Sequence, residues 1–167
     1  TSTIGSDVGG RLRGSGNTWP TSQTDIISTK YIEFTVSPAT GNNFTVSSIA
    51  IKLWAASSSN MRASIYYSTD GFATPGTKIR DGITEGSLPQ TAPVVSFSHS
   101  PSSLTILNGQ TLTIRVYPWL NNQTSSLTGK YFVMSNLVVS GTTVVPTSYV
   151  LSTTIVGNGT VSLTPAG

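Results

Sequence analysis

The chain has 167 residues, 37% hydrophobic and only 9% charged, with no cysteine and a net charge of +3. This is the length of one ordinary domain. The composition excludes a disulfide framework and a thiolate metal site, and nine scattered cations are too few for a nucleic-acid footprint.

The opening TSTIGSDVGG reads as an internal boundary of a longer secreted precursor. Gly9 to Gly16, carrying Arg11 and Arg13, and then Trp19-Pro20, read as a glycine-rich connection that can wall a cleft. Strict alternation begins at Lys30. Ile32, Phe34 and Val36 fall on one face, with Tyr31, Glu33 and Thr35 opposite. Residues 38–43 are a turn. Phe44 and Val46 open a second strand, and Ile49, Ile51 and Leu53 continue it with Lys52 and Trp54 opposite. The change of parity between Val46 and Ile49 places a bulge or short turn at Ser47-Ser48. A serine loop covers 56–60.

Ala63, Ile65 and Tyr67 then alternate with Arg62, Ser64 and Tyr66, and Asp70-Gly71 marks a tight turn. Residues 73–92 read as a long irregular stretch with one short strand. Val95 and Phe97 mark another strand. Leu112, Ile114 and Val116 alternate with Thr113, Arg115 and Tyr117, followed by Pro118 and Trp119. Tyr131 to Ser140 is the last long strand, closed by Gly141. No helical stripe occurs, and no run approaches the ~18 apolar residues of a membrane span. The expected fold is all-β, a jelly-roll sandwich of about eight antiparallel strands over residues 1–142. A linker follows at 143–147, then a hairpin fragment of a following repeat module over 148–167.

Two stretches carry a resemblance. KYIEFTVSPATGNNFTVSSIAIKLW with ASIYYSTDGFAT, and QTLTIRVYPWLNNQTSSLTGKYFVMSNLVVSGT, resemble jelly-roll domains appended to secreted bacterial polysaccharidases of the pectate lyase type. The resemblance covers 30–142 in blocks. It implies an extracellular setting, an attached catalytic domain and a polysaccharide partner. Relatives often carry Asp-Asn in the last strand, where this chain has Ser135-Asn136.

Catalysis is poorly provided for. The six carboxylates are Asp7, Asp25, Glu33, Asp70, Asp81 and Glu85, and none is paired by spacing as glycoside hydrolysis requires. The one histidine, His99, lies between serines in a stretch that reads as a loop, and no GxSxG elbow occurs. Strand parity instead turns Lys52, Trp54, Arg62, Tyr66, Arg115, Tyr117 and Trp119 away from the core, as one expected ligand-binding face. Rings stack on the C–H faces of sugars, and arginine grips carboxylates with paired hydrogen bonds. A structural Ca²⁺, by analogy with jelly-roll binding domains, has Asp7, Glu33 and Asn136 as its ligand candidates. The expected function is non-catalytic targeting of an attached enzyme to a plant cell-wall polysaccharide, pectin or polygalacturonate first and xylan second. The domain is expected to be monomeric, with no nucleic-acid or membrane partner. The alternatives are a spacer or adhesion module without a sugar site and, third, an enzyme.

Overall fold

The computed structural model describes residues 4–7, 11–15, 22–58, 60–91, 97–124, 129–146 and 156–158; for 4–7 and 11–15 only the backbone is described. The described residues form ten strands and no helix: β1 (Ile4–Asp7), β2 (Arg11–Ser15), β3 (Ile32–Val36), β4 (Asn43–Ala56), β5 (Met61–Ser68), β6 (Thr77–Arg80), β7 (Phe97–His99), β8 (Thr105–Ile106), β9 (Leu112–Leu120) and β10 (Tyr131–Val144). One sheet runs β1-β2-β10-β4-β7, with β8 also on β4, and the other runs β3-β9-β5-β6. All ladders between these strands are antiparallel.

The period-2 apolar pattern explains the packing. Ile49, Ile51, Leu53 and Ala55 of β4 and Phe132 and Met134 of β10 share one hydrophobic cluster with Ala63 and Ile65 of β5 and Leu112, Ile114 and Val116 of β9. The two sheets therefore close on each other as a β-sandwich. Ile32, Phe34 and Val36 pack against the same cluster. Val46 and Ile49 are both buried although their parities differ. The ladder with β10 steps from Ser140↔Ser48 to Gly141↔Val46, which leaves Ser47 as the extra residue. The bulge thus lies where the sequence pattern placed it.

Several expectations are corrected. Gly141 does not close β10: the ladder continues through Val144↔Asn43, into the stretch assigned to a linker. A Cβ on Gly141 would collide with the carbonyl oxygen of Thr45, so glycine there permits a close approach inside the strand. Arg11 and Arg13 belong to β2, paired with β10, and not to a loop. His99 is likewise on a strand, opposite Ile49. Pro118 does not break β9. The β3 ladder has already ended at Ile32↔Val116, so proline's missing N–H breaks no bond to that strand. Trp19, and the hairpin expected over 148–167 apart from 156–158, lie outside the described residues.

Candidate functional site

Register places one row of side chains across the outer face of the four-stranded sheet. Glu33 of β3 is opposite Arg115 of β9, Arg115 is opposite Tyr66 of β5, and Tyr66 is opposite Lys78 of β6. Each of these residues has the parity opposite to the core-facing residues of its strand, so the row points away from the cluster. Arg115 Nε donates to Glu33 Oε2 at 2.7 Å. Its guanidinium carbon lies 4.2 Å from the ring centre of Tyr31 and 4.1 Å from that of Phe72, both within cation–π range. Tyr117 meets Tyr31 in a tilted contact and Tyr66 edge-on, each with ring centres 5.5 Å apart. Lys78 Nζ lies 5.7 Å from the ring centre of Tyr66 and 3.0 Å from Asp81 Oδ2.

The rings of Tyr66, Phe72 and Tyr117 line an open cleft of about 460 Å³. Tyr66, Arg115 and Tyr117 contribute from the sheet. Ile26 and Ser28 line it from the segment before β3, and residues 72–76 from the β5–β6 loop. Each of these flanking segments is anchored. Ser22 N donates to Gln123 O at 3.0 Å and Asn122 N to Gln23 O at 2.9 Å, fastening the first segment to the loop after β9. In the β5–β6 loop, the Ser68 hydroxyl accepts from the amides of Asp70 and Phe72, each at 3.0 Å, and donates to the Asp70 carboxylate. The second oxygen of Asp70 accepts from Thr74 N at 3.1 Å and Thr74 Oγ1 at 2.6 Å. The Ser68 hydroxyl first, and then that of Thr74, hold the Asp70 carboxyl down at about 2, well below its ordinary value. The network fixes Phe72 at φ +65°, a left-handed conformation that is unusual for a bulky residue. Such strain costs on the order of 1–3 kcal/mol and occurs preferentially at functional sites.

Of the seven residues expected on one face, only Tyr66, Arg115 and Tyr117 line this cleft. Lys52 and Trp54 are on β4, in the other sheet, so the same outward parity does not put them on this face. Trp54 is moreover buried. Arg62 and Trp119 do share the outer face of the four-stranded sheet, as a cross-strand pair. Neither lines the cleft. Trp119 is fully buried beneath the segment after β6, where a Cβ on Gly82 would come within 2.6 Å of its Cη2 atom. Arg62 donates to Ile83 O of the same segment at 3.1 Å.

The Ca²⁺ ligand set does not fit a single site. Glu33 is engaged by Arg115 in the four-stranded sheet, whereas Asp7 and Asn136 belong to strands of the other sheet. Asn136 instead sits at φ +52° in a bulge of β10, between Ser135↔Lys52 and Val138↔Ala50. Among the described residues, no group of three or more His, Cys, Asp or Glu side chains could hold a metal ion.

Sequence reasoning missed Tyr31, Phe72 and Lys78. Tyr31 was detectable, because it shares the parity of Glu33. Phe72 lies in a loop after Asp70-Gly71, where no period operates. No protein-family model, curated protein or solved structure matches the chain.

Proposed function

We propose that this domain is a non-catalytic carbohydrate-binding module of a secreted protein, holding an attached enzyme on a plant cell-wall polysaccharide. The observation that carries the reading is the aromatic cleft, which Tyr66, Phe72 and Tyr117 line together with one arginine. Rings supply flat apolar surface for the C–H faces of a pyranose, and their hydroxyls, with Ser28 and Thr74, offer hydrogen bonds to sugar hydroxyls. Both cations at the row, Arg115 and Lys78, already have carboxylate partners, and the histidine lies in the other sheet. The cleft is therefore better provided for binding than for proton transfer. Tethering would raise the concentration of the enzyme at its polymer without chemistry in this domain.

The pectic polymer, expected from the outward aromatics and cations, relied on Lys52, Arg62 and Arg115 presenting positive charge together. A neutral hemicellulose such as xylan is the second reading, and the pairing of Arg115 with Glu33 favours it. Affinity gel electrophoresis against polygalacturonate, pectin, xylan, alginate and glucans tests the function. The reading requires retardation by at least one polymer. Unaltered mobility in all of them would support a spacer or adhesion module instead.

A further inference from the structure

We infer that the cleft selects an uncharged pyranose chain and rejects polyuronates. This rests on the carbohydrate reading above and narrows it. Among the described residues, the only cation lining the cleft is Arg115, and its Nε is committed to Glu33 at 2.7 Å. Tyr31 and Phe72 lie against its guanidinium, at 4.2 and 4.1 Å from the ring centres, and hold it in this pairing. Lys78, at the far end of the row, faces Asp81 at 3.0 Å. One further carboxylate flanks the opening: Asp70, bonded to the lining residue Thr74. Two cations, each already paired, therefore stand against three carboxylates, on a protein whose overall charge is positive.

A polyuronate carries a carboxylate on every sugar. To grip one, Arg115 would have to share its guanidinium between Glu33 and the incoming anion, which brings two carboxylates side by side. Like charges brought together in this way discriminate against the wrong partner. An uncharged pyranose meets no such opposition. Its C–H faces fit the rings of Tyr66, Phe72 and Tyr117, and its hydroxyls bond to groups that need no change of charge. Glu33 is on this account the selecting residue, because it occupies the one arginine that an acidic sugar would need.

The test uses sedimentation with insoluble xylan, insoluble β-glucan and cross-linked polygalacturonate, for the unaltered protein and for E33Q. Each mixture is prepared at about 0.01 M and at about 1 M NaCl, between which the screening length falls from about 30 Å to about 3 Å. The unaltered protein should sediment with a neutral polymer, its affinity changing less than about twofold between the two salts, since no exposed charge pair is screened. It should stay in solution with polygalacturonate. E33Q frees Arg115 and should gain binding to polygalacturonate that is lost at the higher salt. Salt-sensitive binding of the unaltered protein to polygalacturonate would overturn the inference and leave the carbohydrate reading standing. Binding to no polymer would overturn both. A folded E33Q protein that still ignores polygalacturonate would remove Glu33 from its selecting role. The arms with the unaltered protein decide the selectivity whether or not E33Q folds.

Discussion

Gly82 lies directly against the indole of Trp119. A methyl group built on Gly82 would come within 2.6 Å of Cη2 of Trp119 and 2.5 Å of the carbonyl oxygen of Ala63. The second contact is backbone, so the collision does not relax by rotation of the Trp119 side chain alone. Gly82→Ala should therefore lower stability by about 1–3 kcal/mol, the usual cost of overpacking. For a domain of this size that is a fall of roughly 2–4 °C in Tm per kcal/mol. A thermal melt with no change would show that the segment over Trp119 moves aside freely.

Trp119 itself separates a packing role from a binding role. It is fully buried, so Trp119→Ala should cost about 3–5 kcal/mol of stability. Its Nε1 has no hydrogen-bond partner among the described residues, so Trp119→Phe forfeits volume and no bond, and should be much milder. Urea titration of the two variants measures both. A Trp119→Ala protein as stable as the parent would contradict the burial.

Tyr66 should behave in the opposite way. It is only half-buried and faces the cleft. Tyr66→Ala should weaken polysaccharide binding by about 1–3 kcal/mol, if a sugar stacks on the ring as a base does. The midpoint of unfolding should move little by comparison with Trp119→Ala. Calorimetric titration alongside a thermal melt distinguishes the two residues. Unchanged affinity in a folded Tyr66→Ala protein would take this ring out of the site.

Asp70 gives the loop beside the cleft a pH dependence. Its folded-state pKa, about 2, lies below the ordinary 3.8, chiefly through the Ser68 hydroxyl and then that of Thr74. A depressed carboxyl contributes stability above its ordinary value, and that contribution is lost as pH falls toward the folded value. The loop carrying Phe72 should therefore loosen between about pH 4 and about pH 2. Asp70→Asn should remove that portion of the acid dependence and lower Tm at neutral pH. Melting curves across this range, for parent and variant, give the comparison. Identical acid profiles would exclude Asp70 as the responsible group.

How far the sequence reaches is clear from particular residues. Alternation is a local property, set by the pleat, so it correctly turned Tyr66, Arg115 and Tyr117 away from the core and located the bulge at Ser47. It assigns each side chain to a face of its own strand and says nothing about which sheet the strand joins. That is why Lys52 and Trp54 were grouped with residues of the opposite sheet. It is equally silent about coverage. Trp119 has outward parity, yet the segment bearing Gly82 lies on it. Glu33 was legible as an outward residue, but its partner was not. The pairing with Arg115 spans 82 residues and exists only because β3 joins the edge of β9. The short strands β1, β2 and β8 lack enough alternating positions to announce themselves, and the ladder to β10 makes β2 a strand despite its glycine.

The most direct test of the carbohydrate cleft is amide chemical-shift mapping of the isotopically labelled domain, titrated with an oligosaccharide of whichever polymer retards it. The account predicts that the largest changes cluster at Ser28, Tyr66, Phe72, Thr74, Arg115 and Tyr117, all around one opening on the four-stranded sheet. Saturable changes confined to β4 and β10 of the other sheet, with these six residues unmoved, would contradict it.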